Sequence, residues 1–166
     1  MRAHFSPVIC LGAVLVVIEA TLLQHVRVRG VAPDLSLLLA LFLSLQLPLE
    51  QALGANWLLG LLHDLPSGIG FGTSALLYLL LGAVVSVLKE VLFRDSLGVQ
   101  VLLVFAASFL YNLAYGGSLA RGQEALRLGD VAVRSAAIAT YTAMLGPVVF
   151  ACLHRFRQVF VDTRVV

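Results

Sequence analysis

Two aspartates of this chain stand where a carboxylate could do chemistry. Asp64 directly follows His63, and Asp34 opens a different apolar segment. A catalytic base and the group that orients it must converge within hydrogen-bonding distance, whereas neighbours on a helix point about 100° apart. Adjacency therefore does not make His63 and Asp64 a catalytic pair, and the sequence favours structural roles for both acids.

The two aspartates stand at opposite ends of their predicted helices. Asp34 follows Pro33 at a helix start, where the helix dipole stabilises an anion and the carboxylate can cap the first turn. Asp64 stands at a helix end, where the dipole costs an anion roughly 0.3–1 kcal/mol, so we expect it to have a compensating partner. The glycine-rich stretch Gly68–Gly72 indicates backbone N–H groups as that partner, since glycine adopts positive φ freely.

The same stretch does not match a phosphate-binding loop. It lacks the GxGxxG spacing and a Walker lysine, and it follows an apolar helix rather than a strand. The four histidines are scattered through the chain, so the sequence predicts no metal-ligand cluster. We therefore expect neither a cofactor nor a metal.

The elements that must position these residues are strongly apolar. Of 166 residues, 60% are hydrophobic and 12% are charged, against roughly 25% charged in an ordinary soluble domain. The apolar residues come in blocks rather than in alternation, which favours membrane-spanning helices. With a net charge of only +2, nucleic-acid binding is disfavoured. The sequence predicts a single integral membrane helical domain over residues 1–166.

Six apolar segments qualify as membrane helices, of which the second and third are short. They cover residues 7–23, 34–47, 51–63, 73–88, 97–115 and 135–153. In the long connection between the last two, Ser118–Leu128 is predicted either as a short surface helix closed by Gly129 or as a plain loop. The fold class is thus all-α, a polytopic bundle of about six transmembrane helices.

Several side chains have ordinary structural interpretations within such a bundle. Tyr111 and Tyr115 lie one turn apart at a segment end and are interpreted first as interface anchors. Gly82 and Ser86 have the spacing that lets membrane helices pack closely within one molecule. Glu19 is the acid inside an apolar segment, and snorkelling to the interface explains it as well as a specific role does.

The distribution of positive charges gives only a weak indication of how the bundle is oriented in the membrane. If the N-terminus is cytoplasmic, six positive charges lie inside and five outside. Arg155 and Arg157 stand directly after the last apolar segment, where they count most, so we expect both termini inside. Asp34 and Asp64 would then share the outer face. The basic tail is predicted to contact anionic lipid, at about 1 kcal/mol per charge, with the tail of a protein partner as the alternative.

Three parts of the sequence resemble the rod-shape-determining MreD family of bacterial inner-membrane proteins. They are Gly30–Leu35, the stretch Gly60–Gly72 that runs on to Tyr78, and the last segment, Thr140–Leu153, with the basic residues that follow it. The resemblance spans nearly the whole chain. Glu19 stands where the family more often has an uncharged polar residue, so the resemblance gives it no role.

The resemblance implies a non-enzymatic six-helix protein similar in fold to the vitamin-binding subunits of energy-coupling-factor transporters. Such a scaffold works beside a single-span MreC-like partner, and indirectly beside the actin-like MreB and the wall synthases. It organises lateral peptidoglycan synthesis and maintains rod shape. The residues expected to shape the outer face or contact a partner are Pro33, Asp34, Asp64, Gly68, Gly70 and Gly72.

Two alternative functions stay open at this point. A substrate-binding subunit of a vitamin transporter would often carry alanines spaced four apart on its first helix, whereas Ala13 and Ala20 are seven apart here. An intramembrane hydrolase would need the carboxyl groups of Asp34 and Asp64 to meet.

Overall fold

The computed structural model describes Gly12, Val14 and residues 32–67, 72–92, 97–120 and 128–155. This part of the chain forms five helices and no strand, which confirms the all-α fold class. The helices are α1 (Leu35–Gln46), α2 (Leu49–Ser67), α3 (Thr73–Leu92), α4 (Leu97–Ala120) and α5 (Leu128–Arg155). Most of the first apolar segment lies outside the described residues, so the count of six spanning helices stays a prediction.

Helix α1 lies at the centre of the bundle and contacts the other four helices. Every residue from Ser36 to Ser44 is buried, so the helix is enclosed on all sides. Its 12 residues extend about 18 Å at 1.5 Å per residue. Because the hydrocarbon core of a bilayer is about 30 Å thick, α1 alone is too short to cross it.

Charged side chains bind the backbone at both ends of α1. Asp34 is the N-cap, and its Oδ1 accepts a hydrogen bond from the N–H of Leu37 at 2.8 Å. At the other end, Lys89 Nζ donates to the carbonyl oxygens of Ser44, at 3.2 Å, and Leu47. An anion at the first turn and a cation at the last both complement the helix dipole. The predicted cap by Asp34 is confirmed, whereas nothing in the sequence pattern predicted the role of Lys89.

The other helices form two pairs around α1. Helix α2 packs along α3, α4 packs along α5, and α3 also contacts α4. Gly12, in the first apolar segment, is helical and buried, and a β-carbon there would overlap the side chain of Leu59 in α2. We call the end of the bundle that holds Asp34 and Asp64 the aspartate end, and the end that holds Lys89 the lysine end.

Two glycines allow close approach between neighbouring helices. A β-carbon at Gly60 would overlap the α3 backbone, lying 2.6 Å from the nitrogen of Ala75. A β-carbon at Gly82 would overlap the side chain of Asn56, whose Nδ2 donates to Ser44 Oγ at 2.7 Å. One turn after Gly82, Ser86 Oγ donates to the Ser44 carbonyl at 3.2 Å. The predicted intramolecular packing role of Gly82 and Ser86 is confirmed.

Several helices continue beyond the apolar segments that predicted them. Helix α2 runs through Pro66 to Ser67, and α5 begins at Leu128 rather than Ser135. The predicted bounds of the connection, Ser118–Leu128, are therefore wrong at both ends, because Ser118 belongs to α4 and Leu128 to α5. Residues 121–127 lie outside the described residues, so the choice between a surface helix and a loop stays a prediction there. Hydropathy marks where a helix meets lipid, not where its backbone hydrogen bonds end, and an acidic residue in the first turn of α5 favours its early start.

Helices α4 and α5 have the length and composition needed to cross a membrane, over Gly98–Ser118 and Gly129–Arg155. The apolar helices Leu35–Gln46 and Thr73–Lys89 are shorter. Long helices thus flank a short, enclosed one in the described part of the chain.

Replacing Gly60 with alanine is expected to destabilise the protein by about 1–3 kcal/mol, because the added β-carbon overpacks the contact with α3. Gly117→Ala is the matched control, since nothing beyond its own local helix backbone lies within 4 Å of its β-carbon position. Alanine is favoured over glycine in a helix by up to ~1 kcal/mol, so the control should be neutral or stabilising. Thermal unfolding in detergent, followed by circular dichroism, compares them. Equal midpoints would contradict the close packing of α2 on α3.

Candidate functional site

Asp64 lies in the last turn of α2 but binds the first turn of α3. Its side chain is only 2% exposed. Oδ2 accepts hydrogen bonds from the N–H groups of Gly72 at 2.8 Å and Ala75 at 3.4 Å, and Oδ1 accepts one from Ser74 at 3.2 Å. The N–H groups of a first helical turn have no partner within their own helix, and an anion there also complements the dipole. An acid poorly placed in its own helix thus caps the next one.

The expected contact between Asp64 and a glycine N–H is present at Gly72. This glycine has φ 101°, in the region that side chains other than glycine rarely adopt. Gly60 lies one turn before Asp64 on the same face of α2. Because Gly60 has no side chain, the α3 backbone can approach α2 closely at the point where Asp64 binds the first turn of α3. Gly68 and Gly70 lie outside the described residues.

Two buried tyrosines join the environments of the two aspartates. Tyr78 donates its hydroxyl to Asp34 Oδ1 at 3.3 Å, and the Tyr111 hydroxyl lies 3.1 Å from Ser74 Oγ. The two rings pack with centroids 5.0 Å apart. Since the Ser74 N–H is bound by Asp64, a chain of contacts runs from Asp34 through both tyrosines and Ser74 to Asp64.

The His63 ring lies against these tyrosines. Its centroid is 5.8 Å from that of Tyr78 and 6.3 Å from that of Tyr111. The Asp64 carboxylate faces the first turn of α3 instead. His63 therefore belongs to an aromatic cluster, and Asp64 to a helix cap.

Helix α5 is tied to the same end of the bundle. The backbone N–H of Asp34 donates to Thr142 Oγ1 at 3.1 Å, and Thr142 is fully buried. A cleft of about 200 Å³ opens beside this contact. Its lining residues are Ala32, Pro33, Asp34, His63, Tyr111, Asn112, Tyr115 and Ile138. The aspartate end thus combines satisfied helix caps with an open space beside them.

The interpretation of Tyr111 as an interface anchor is wrong, because its side chain is 2% exposed and hydrogen-bonded inside the bundle. Tyr115 is half-buried and stacks on it, with ring centroids 5.8 Å apart. Sequence reasoning also missed Ser74 and Tyr78. Their four-residue spacing places both on one face of α3 and was the available indication.

The structure brings some of the predicted site residues together and separates others. Pro33, Asp34, Asp64 and Gly72 share the aspartate end. Arg155 is exposed at the opposite end, in the last turn of α5. Arg157 and Glu19 lie outside the described residues.

The family model described as rod shape-determining protein MreD matches residues 1–154. The chain belongs to this family. Its resemblance to the MreD family is thereby confirmed, and with it a role in rod-shape determination as a bacterial membrane protein. The family is part of the MreBCD shape-determining system and is not a known enzyme family. Searches of curated proteins and of solved structures found no match.

Asp64→Asn is expected to lower the free energy of unfolding by about 1–3 kcal/mol. The neutral amide loses the charge-assisted bonds, and its NH₂ group would face backbone donors. Asp130→Asn is the control, because Asp130 is exposed in the first turn of α5 and loses at most about 1 kcal/mol of dipole interaction. Denaturant unfolding in detergent measures both. A smaller effect at Asp64 than at Asp130 would rule out the capping role.

Proposed function

We propose that this chain is a multi-pass scaffold of the bacterial inner membrane that organises lateral peptidoglycan synthesis and so maintains rod shape. It acts by binding a single-span MreC-like protein, and through it the actin-like MreB and the wall synthases. The observation that carries the proposal is the family match over residues 1–154.

The aspartate end supports a binding role rather than a catalytic one. Asp34 and Asp64 each accept hydrogen bonds from backbone N–H groups at a helix start. A hydrolytic pair needs carboxyl groups that meet across a substrate, whereas these two hold separate helices in place. Their engagement in caps favours a fixed outer shape, which a scaffold needs.

We infer that the turn between α2 and α3 forms part of the partner-binding surface. Asp64 is buried and would act by holding the start of α3, while Pro33 and Asp34 would fix the neighbouring start of α1. Apolar side chains beside the turn face outward, with Leu65 65% exposed and Leu76 61% exposed. These are the side chains on which a partner's membrane span would pack, since close apolar contacts hold helices together in lipid.

The proposed orientation places both termini in the cytoplasm and the aspartate end outside. Lys89 and Arg155 lie at the lysine end, which agrees with the preference for cations on the cytoplasmic side. Arg155 and the tail that follows would contact anionic lipid there.

Depletion of the protein in the source organism is expected to round the rod-shaped cells and to scatter new wall synthesis, because lateral insertion loses its organiser. Labelling of new peptidoglycan and measurement of cell width test this. Unaltered cell shape after full depletion would contradict the scaffold proposal.

Affinity purification of the complementing protein tests the partner surface. Leu65→Ser should reduce recovery of the MreC-like protein several-fold at unchanged expression, and Asp64→Ala should do the same by releasing the turn. Glu50→Ala is the control, since Glu50 is exposed at the other end of α2. Recovery equal to wild type in both test variants would remove this turn from the interface.

Cysteine labelling tests the orientation. In a variant lacking Cys10 and Cys152, an impermeant maleimide should label Ser118→Cys in intact cells but Glu50→Cys only after permeabilisation. Both positions are exposed, at opposite ends of the bundle. The reverse pattern would invert the proposed topology.

A further inference from the structure

A second cleft, of about 350 Å³, lies between α4 and α5 at the aspartate end. Its lining residues are Asn112, Tyr115, Gly116, Asp130, Val131, Arg134, Ser135 and Ile138. The volume falls in the range of about 300–1,000 Å³ that small-molecule sites occupy. It shares Asn112, Tyr115 and Ile138 with the smaller cleft beside Asp34, so the two spaces adjoin.

Two opposite charges border this cleft without neutralising each other. Asp130 and Arg134 are both exposed, and neither has an ion pair or side-chain hydrogen bond to any residue in the described ranges. They stand one helical turn apart on α5, about 6 Å along its axis. The cleft therefore offers an acceptor for a cation and a donor for an anion, carried by residues one helical turn apart.

The length of α5 allows the cleft to lie at the level of the lipid headgroups. Arg134 and Arg155 are about 31 Å apart along the helix at 1.5 Å per residue, close to the ~30 Å thickness of a hydrocarbon core. With Arg155 at one boundary, Arg134 lies at the other. Asp130, nearer the start of α5, then lies one turn farther out than Arg134, and Ile138 lies one turn deeper.

We propose that this cleft binds the headgroup of a zwitterionic, amine-bearing phospholipid of the phosphatidylethanolamine type. In such a lipid the phosphate lies nearer the acyl chains, and the ammonium follows it outward across a short O–C–C chain. Arg134 binds the phosphate through its guanidinium, and Asp130 accepts from the ammonium. Ile138, at the depth of the acyl chains, contacts the apolar part. The order of cation and anion along α5 matches the order of groups along the lipid.

Neither a purely anionic lipid nor a free anion fits this arrangement as well as an ethanolamine lipid does. Phosphatidylglycerol would satisfy Arg134 but leave the Asp130 carboxylate facing a headgroup without a cation. A free phosphate would use Arg134 alone and leave the apolar wall at Ile138 uncovered. Ethanolamine lipid is the class that engages all three.

Native mass spectrometry of the delipidated full chain, with equimolar phosphatidylethanolamine and phosphatidylglycerol, tests the proposal. Wild type should bind the ethanolamine lipid preferentially. Arg134→Ala should weaken that binding about tenfold or more, as loss of a charged hydrogen-bonding partner predicts, and Arg134→Lys should retain part of it. Glu50→Ala is the control, since Glu50 is exposed at the opposite end of the bundle, and it should leave the preference unchanged.

Asp130→Asn separates headgroup recognition from general attraction to phosphate. It should abolish the preference for ethanolamine lipid while leaving phosphatidylglycerol binding intact. Equal binding of both lipids by wild type, or an Arg134→Ala variant that behaves like Glu50→Ala, would overturn the proposal. Soluble phosphoethanolamine that binds as tightly as the lipid would overturn its lipid part. These lipid-binding measurements do not depend on whether the MreC-like protein is recovered with this chain, so the two proposals can fail separately.

Discussion

The structure depends on a helix that is too short to cross the bilayer and is enclosed on all sides. Backbone groups enclosed in an apolar bundle have no water to bind, and an unpaired polar group there costs several kcal/mol. Asp34 binds the first turn, and Lys89 binds the last carbonyls. Because Lys89 belongs to α3, satisfying the end of α1 also fixes how far α3 extends beside it.

Helix α3 is itself held at both ends by charged groups. Asp64 of α2 binds its first turn, and its own Lys89 binds the end of α1, about 25 Å farther along the helix. In lipid, the hydrophobic effect does little to favour one register of two packed helices over another. Hydrogen bonds and close contacts between small residues do favour one register. Gly60 and Asp64 supply both kinds of contact at one place. The α2–α3 pair is consequently a defined unit, with the start of α3 held against the end of α2.

Contacts of this kind could be predicted from the sequence where a charged residue is unfavourable at its position in its own helix. Asp64 at a helix end required a partner, and glycines followed it, so the backbone contact at Gly72 could be anticipated. Lys89 could not be, because a lysine after an apolar run looks the same whether it faces water or a carbonyl far away in sequence. Tyr111 misled for a similar reason, since a tyrosine near a segment end fits both an interface anchor and a buried hydrogen-bonding group.

The two helix pairs use their charges differently, and this difference bears on function. On α2 and α3, Asp64 and Lys89 are engaged with backbone groups inside the bundle. On α5, Asp130 and Arg134 border an open cleft. The charged groups buried in the bundle hold the helices in one arrangement, whereas the charged groups beside the cleft remain accessible to other molecules. Under the proposed function, such a division would let the ends of α2 and α3 beside Asp64 present a constant surface to a partner while the α4–α5 side meets the membrane.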